Sequence, residues 1–125
     1  MGSYAVVDPH TGEQVRSYPT ATDAEVGQAI AAAAAAHADW SGRSIAERAA
    51  VVRRIGELHV ERSEQLGSII HREMGKALPD AIGEVEFSGA IYIYYADNAE
   101  KLLADKPITD LDGEGSAFIR SQSVG

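Results

Sequence analysis

The longest helical pattern in the sequence runs from residue 44 to residue 76 and constrains the fold more than any other segment. Ser44, with Glu47 three residues later, has the composition of a capping box, in which a hydroxyl and a carboxylate bind the free amides at a helix start. Apolar residues then recur at the spacing of one helical face: Ile45, Ala49, Val52 and Ile55. The rest of the chain is predicted to pack around this segment or to lead into it.

Two helices are predicted within this segment, because Glu61 and Arg62 interrupt the apolar pattern. Ser63, with Glu64 directly after it, is typical of a new N-cap. The second helix is predicted to turn four residues toward the core: Leu66, Ile69, Ile70 and Met74. Gly75 follows at the position where a left-handed C-cap favours a residue without a Cβ atom.

An alanine-rich helix is predicted before this segment. Thr22 and Glu25 form a second capping box, and the helix is predicted to reach about residue 38. Trp40 is predicted to fill the junction between this helix and the next one.

The last helix is predicted to open with residues 78–80, because Pro79 is tolerated in the first turn, and to reach about Leu103. Gly83 and Gly89 are predicted points of close helix contact, which would compensate for the cost of glycine inside a helix. Five residues are predicted to lie along its inner side: Ile82, Val85, Ala90, Ile93 and Ala96. Three tyrosines near its centre are predicted to belong to the core rather than to a binding surface: Tyr92, Tyr94 and Tyr95.

Short strands are predicted at both ends of the chain. Residues 4–7 and 15–18 form a predicted β-hairpin around turn residues at 8–13, and such a hairpin must lie on other structure to be stable. Residues 116–122 alternate as in a strand, and residues 116–125 are predicted to begin a strand that is truncated. The predicted fold of residues 1–125 is therefore a single, mostly helical unit with an N-terminal hairpin and a C-terminal strand.

Composition limits the classes of partner. Nineteen acidic residues against eleven basic ones give a net charge of −8, which argues against nucleic acid and anionic membranes as partners. The chain has no cysteine, so it can hold no disulfide, zinc–thiolate site or thiol nucleophile of its own. The first residues do not resemble a secretory signal, and the apolar run at 29–36 is too short to span a bilayer. A cytoplasmic location is expected.

Candidate catalytic groups do not form a recognisable constellation. The four histidines show no metal-binding spacing: His10, His37, His59 and His71. Glu84 and Glu86 are two residues apart on a helix and point to different sides. Residues 113–115 (GEG) begin like a phosphate loop but lack a third glycine and a preceding strand.

Several short motifs, taken together and in order, resemble the aldehyde dehydrogenase family. Residues 8–13 (DPHTGE) resemble the hairpin with which that family begins, and residues 118–125 resemble the strand that enters its first catalytic-domain motif. Between them the other motifs follow in the family's order: Trp40, 46–48 (AER), 73–76 (EMGK), 83–85 (GEV) and 94–96 (YYA). Within the family, residues 94–105 are most similar to succinate-semialdehyde dehydrogenases.

The resemblance implies an α/β, Rossmann-like family fold and an NAD(P)-dependent oxidation. In the family, a cysteine thiolate adds to the aldehyde to form a thiohemiacetal, hydride passes to the nicotinamide, and a glutamate helps water to release the acid. None of these residues is present here, so no catalytic and no cofactor-binding residue is assigned to this chain. The chain resembles the N-terminal part of the family's cofactor-binding domain and is expected to be inactive alone and to bind no cofactor alone. Its expected partners are the remainder of the enzyme or further copies of it, with a small aldehyde, succinate semialdehyde above all, as substrate.

One residue can be carried over from the family. In some members the acidic residue of the EMGK motif helps to hold a monovalent cation with backbone carbonyls of the first strand, which here implies Glu73 with Val6 or Val7. A helix-cap or ion-pair role for Glu73 is the preferred interpretation.

The sequence also departs from the family pattern, since Ser123 replaces a usual proline and His59 and Val60 replace leucine and glutamate. A polar ring on the buried side and an apolar group outside are therefore expected.

Two interpretations outside catalysis stay open at this point. One is a non-enzymatic helical module that pairs with a partner chain, and the other is a truncated gene product without a role of its own.

Overall fold

The computed structural model describes residues 3–109 and 115–124. Four helices carry the described part of the chain, with a two-stranded antiparallel sheet before them and another after them. In chain order the elements are β1 (Ser3–Val7), β2 (Gln14–Pro19), α1 (Asp23–Gly42), α2 (Ile45–Glu61), α3 (Ser63–Met74), α4 (Leu78–Leu102), β3 (Lys106–Ile108) and β4 (Ala117–Ile119). The predicted mostly helical unit with an N-terminal hairpin is confirmed for these residues.

The starts of α1 and α2 form where the sequence predicted them. At the start of α2, the Ser44 amide donates to Glu47 Oε2 at 2.8 Å and the Glu47 amide donates to Ser44 Oγ at 3.2 Å. Thr22 and Glu25 make the same reciprocal pair at the start of α1. α3 ends at Gly75, whose φ of 70° is the left-handed conformation that a C-cap needs.

The core lies where α2 and α3 pack on α4. α2 and α4 cross at Gly56 and Gly89, where a Cβ atom on Gly56 would lie 2.8 Å from the Gly89 carbonyl oxygen. α3 and α4 meet at Gly67, where a Cβ atom would lie 2.7 Å from Ile82 Cγ1. Among the described residues the only buried apolar side chains are Ala81 and Val85, both on α4. The backbones of α2 and α4 therefore touch at Gly56 and Gly89, and the Ile82 side chain lies against the backbone of α3 at Gly67.

Several predicted details of packing were wrong. Ser63 is the first residue of α3 rather than its N-cap, which is Arg62, and the Ser63 hydroxyl donates to Glu86 Oε1 on α4 at 3.3 Å. Gly83 has open space around it and is not a contact point, because its direction on α4 differs from that of Gly89. Ala90 and Met74 are exposed, since a glycine occupies the inner position beside Ala90 and Met74 lies at the very end of α3.

The two hairpins confirm one prediction and revise another. β1 pairs with β2 in the predicted place, with a register shift between Val6 and Val7. The C-terminal strand at 116–122 is shorter than predicted, because β4 pairs only across Ala117–Ile119. Its partner β3 was not predicted as a strand, since Pro107 in a three-residue strand gives almost no periodic signal. Residues 110–114, which include the first two residues of the GEG motif, and residue 125 at the predicted strand truncation lie outside the described residues.

The described surface carries an unusual amount of apolar side chain. α1 has no buried residue, and Ile30 on it is 66% exposed. On α4 Phe87 is 67% exposed, and on α3 Met74 is 76% exposed. Within residues 3–109 and 115–124, no helix is long and apolar enough to cross a membrane. The helices thus leave much of their apolar surface without cover from the rest of this chain.

Candidate functional site

The EMGK motif lies where the end of α3 meets the first hairpin. A Cβ atom on Gly75 would come within 2.9 Å of Pro9 Cγ, so the β1–β2 turn rests directly on the helix end. The His71 ring donates from Nδ1 to the Lys76 carbonyl oxygen at 2.6 Å, because a carbonyl can only accept. Lys76 forms an ion pair with Glu84 on α4. The motif therefore joins three elements at one point.

Among the residues that the structure describes, Glu73 makes a single ionic contact at this junction. Its Oε1 lies 3.7 Å from Arg72 Nη2, and its side chain is 37% exposed. In the part of the chain that the structure describes, no three His, Cys, Asp or Glu side chains cluster in a way that could hold a metal ion. The ion pair is compatible with the preferred helix-end role, and cation binding by Glu73 stays a prediction.

The histidines do not converge on one another. His59 is half-buried, with Nδ1 2.8 Å from the Ile55 carbonyl oxygen and its ring 5.1 Å from the ring of Tyr92. Val60 beside it is 48% exposed, so a polar ring inside and an apolar group outside are both confirmed. His37 lies elsewhere, with Nε2 3.3 Å from Ser123 Oγ.

The carboxylates with shifted pKa values lie at the surface, where they form hydrogen bonds that stabilise the fold. Hydrogen bonds from the Arg120 guanidinium lower the pKa of Asp105, and this pair ties the start of the β3–β4 hairpin to its end. Hydrogen bonds from Arg54 lower the pKa of Glu61 on the outer face of α2. Neither carboxylate lies in a cleft, so these shifts indicate ion pairing rather than an acid–base pair for catalysis.

The tyrosines of α4 were predicted to be core, and this prediction is wrong, since Tyr92 is 39% exposed and the other two are more exposed. Tyr94 is 58% exposed and Tyr95 is 57% exposed, with their rings packed edge to face at 5.4 Å. The reason is the helical phase, since Val85 and Gly89 define the side of α4 that faces its neighbours. Tyr95 instead contributes to an open cavity at the junction of the helices.

That junction cavity is apolar and has a volume of about 370 Å³. It lies between α1, α2 and α4, and Trp40 lines it as the sequence predicted for that junction. The other lining residues are Ile45, Arg48, Ala49, Val52, Tyr95, Ala96, Ala99, Leu102 and Leu103. Trp40 was predicted to fill this junction, but the junction is an open groove and Trp40 forms part of its wall.

Arg48 also lines a second, more polar cavity of about 510 Å³, together with His37, Ser41 and Gln122. Its Nε atom is buried and has no hydrogen-bond partner among the described residues. The sequence analysis included Arg48 in the AER motif but assigned no role to its side chain. The available signal was its position, because Arg48 follows Ile45 by three residues and so interrupts the apolar face of α2.

Comparisons with known proteins agree with the motif order. The profile of the Aldehyde dehydrogenase family matches residues 2–125. A succinate-semialdehyde dehydrogenase (NADP+) of Deinococcus radiodurans is 40% identical over 115 residues, which are 92% of this chain and 24% of that protein. Succinate-semialdehyde dehydrogenase (NADP+) 1 of Mycobacterium tuberculosis is 38% identical over 122 residues, which are 97% of this chain and 27% of that protein.

Comparison with solved structures gives a similar match. The structure of succinic semialdehyde dehydrogenase from Streptococcus pyogenes in complex with NADP+ superposes with a TM-score of 0.89 at 27% identity. The match covers 98% of this chain and 27% of that one. The chain thus spans about a quarter of the length of the curated relatives that it matches.

Proposed function

Because this chain belongs to the aldehyde dehydrogenase family, we propose that it forms the N-terminal portion of an NAD(P)-dependent enzyme that oxidises an aldehyde to its acid. Succinate semialdehyde is the proposed substrate, and the proposed overall reaction converts the aldehyde, NAD(P)+ and water into the carboxylic acid, NAD(P)H and a proton. The proposal treats residues 1–125 as one structural unit and places the protein in the cytoplasm.

One observation carries the proposal. The match to the relatives named succinate-semialdehyde dehydrogenase extends over 92% and 97% of this chain, so it includes all four helices. The helices that match leave apolar faces open, as expected of a segment that packs on further protein. The role proposed for the chain itself is therefore a packing frame, on which the longer enzyme supports its catalytic parts.

The residues of this chain do not by themselves fit a dinucleotide. Such a cofactor binds at the carboxyl ends of parallel strands, beside a glycine-rich turn that opens a helix. The two sheets in the described residues are antiparallel and have two strands each. No step of the reaction is therefore assigned to a side chain of this segment, and the chain also has no cysteine to act as the nucleophile.

A chimeric enzyme tests the proposal. The portion of the Deinococcus radiodurans relative that this chain matches would be replaced by this chain, and NADP+ reduction with succinate semialdehyde would be measured. We expect kcat/KM within about tenfold of the parent enzyme, because no step of the reaction is assigned to a side chain of the exchanged portion. A tenfold change corresponds to ~1.4 kcal/mol of transition-state stabilisation.

This chain alone is the control, and it should show no NAD+ or NADP+ reduction above background with any aldehyde. A chimera that unfolds cooperatively but does not reduce NADP+ would contradict the proposal. Turnover by the chain alone would contradict the assignment of all chemistry to residues outside it.

For Glu73 we propose the helix-end ion pair with Arg72 as its principal role, with cation binding as the alternative. The distance of 3.7 Å between Glu73 Oε1 and Arg72 Nη2 supports the ion pair. The contact of Pro9 with Gly75 brings the first hairpin to the same junction, which supports the alternative. Melting of the wild type and of Glu73→Gln in potassium chloride and in choline chloride separates them, because only a bound cation makes the melting temperature of the wild type depend on the cation.

The exposed apolar faces also favour a second candidate function, a non-enzymatic helical module that pairs with a partner chain. Size-exclusion chromatography with light scattering tests it on the isolated chain. A monomer that melts cooperatively would support a self-sufficient module of this kind, whereas aggregation, or rescue by a separately expressed remainder of the enzyme, would favour the N-terminal portion of a longer enzyme.

A further inference from the structure

Arg48 is a half-buried cation without a counterion among the described residues. Five other arginines form ion pairs, namely Arg43, Arg53, Arg54, Arg72 and Arg120. Arg16 and Arg62 have no ion pair among the described residues either, but both side chains are exposed. Arg48 differs because its Nε atom is buried and has no hydrogen-bond partner in the described part of the chain.

An arginine in this position lowers the stability of the fold unless an anion binds to it. The guanidinium group stays charged at any pH that a protein tolerates, so it cannot adapt by losing a proton. A buried donor without a partner and a charge without a counterion both reduce stability. The chain is rich in carboxylates, yet no described carboxylate lines either of the cavities that Arg48 borders.

The two cavities beside Arg48 differ in chemistry. The polar one includes Gln122 and Ser123, whose side chains add hydrogen-bond donors to those of the guanidinium group. The apolar one is walled by Trp40 and by Leu102 and Leu103 at the end of α4. The group that complements both cavities best therefore carries a negative charge beside an apolar portion.

We propose that Arg48 and the junction cavity form the docking site for a carboxylate side chain flanked by an apolar one, carried by the polypeptide that completes the longer enzyme. The carboxylate accepts hydrogen bonds from Arg48 in the polar cavity, and its apolar neighbour lies against Trp40. The nature of the occupant rests on the proposed function, since the chain spans only about a quarter of its relatives. The negative charge of the occupant is inferred from Arg48 alone.

Trp40 is the only tryptophan of the chain and lies in the cavity wall, so its fluorescence reports occupancy. The probe is isocaproate, a carboxylate with a leucine-like tail, and isocaproamide is the neutral match. We expect a saturable change of Trp40 emission with isocaproate, and binding of isocaproamide weaker by about tenfold or more. Equal binding of acid and amide would overturn the proposal, and so would the absence of saturable binding of isocaproate.

Two variants assign the effect to Arg48. Arg48→Gln should weaken isocaproate binding by about tenfold or more, whereas Arg54→Gln removes a guanidinium on the outer face of α2 and should leave it unchanged. Equal weakening in both variants would overturn the assignment. If Arg48→Gln does not fold, the comparison of acid with amide in the wild type still decides.

The chimeric enzyme tests whether the occupant is polypeptide. Arg48→Gln should lower the melting temperature of the chimera more than that of the isolated chain, because the ion pair forms only in the chimera. An equal decrease in both would overturn docking and leave a site for a free organic acid. Melting does not require activity, so an inactive chimera that shows the larger decrease rejects the proposed function without rejecting the docking site.

Discussion

The carboxylate of Glu47 is held by the first turn of its own helix. Hydrogen bonds from the Ser44 hydroxyl and the Ser44 amide stabilise the ionised form and lower the pKa of Glu47 below its ordinary value of 4.5. A group whose pKa is lowered in the folded state stabilises that state at pH values above its unfolded pKa. This contribution is lost as the pH falls through the lowered pKa of the folded state.

Glu47→Gln is therefore expected to reduce stability at neutral pH and to have progressively less effect as the pH falls below 4.5. Glutamine can still make a capping box, so the substitution isolates the contribution of the charge. Urea unfolding followed by circular dichroism at a series of pH values measures it. Glu100→Gln controls for the change in net charge, because Glu100 has no side-chain hydrogen bond or ion pair among the described residues. A difference between wild type and Glu47→Gln that does not depend on pH would show that the charge of Glu47 does not stabilise the helix start.

Single residues were predictable from sequence where their partners are close in sequence. Both capping boxes join residues three positions apart, so local chemistry determines them. Ser63 was misassigned because its partner Glu86 is 23 residues away on another helix. The role of Arg48 was missed for a related reason, since the meaning of a charge on an apolar face depends on cavities that three separate helices enclose.

The crossing of α2 and α4 depends on two glycines that allow the helix backbones to touch. A Cβ atom on Gly89 would lie 2.9 Å from the Gly56 carbonyl oxygen, 3.0 Å from Val60 Cγ2 and 3.2 Å from His59 Cβ. The first of these atoms is backbone, so the helices themselves would have to move apart. Gly83 is on the same helix, but a Cβ atom there would meet no other side chain or neighbouring element within 4 Å.

Gly89→Ala is expected to destabilise the fold by about 1–3 kcal/mol, the usual cost of overpacking a closely packed contact. Gly83→Ala is the matched control and should instead stabilise by about 0.5–1 kcal/mol, because alanine loses less conformational entropy in a helix. Urea unfolding of both variants measures the two changes. Stabilisation by Gly89→Ala would show that α2 and α4 do not cross at this point.

Helices were more predictable than strands because their signals extend over more residues. α2 and α4 carry several turns of apolar periodicity, and their described bounds lie close to the predicted ones. β3 and β4 have three residues each, and they are defined by pairing with each other rather than by their own sequence. The site motif at 73–76 was located by resemblance, whereas its contact with Pro9 required the structure.

Taken as a whole, the described chain has its firmest packing at one end of α4 and its weakest at α1. Ala81, Val85 and Gly89 on α4 are buried, whereas no residue of α1 is buried. Local stability follows buried contacts, so segments with few of them open at a low free-energy cost. The helix that has least cover within this chain should therefore depend most on further protein for its order.

Hydrogen exchange is expected to show the same order of local stability, with α4 around Val85 the most stable and α1 the least. Backbone amides around Val85 should be protected by nearly the full free energy of unfolding, and amides of α1 around Ile30 should exchange much faster. Mass spectrometry of exchanged peptides measures this in the isolated chain and in the chimeric enzyme, where α1 should gain more protection than the residues around Val85. Measurements at two concentrations of the isolated chain detect self-association, which would protect α1 only at the higher one. Equal protection of α1 and α4 in the isolated chain at both concentrations would show that α1 needs no cover, and the exposed apolar face would then lose its role as a surface for the longer enzyme.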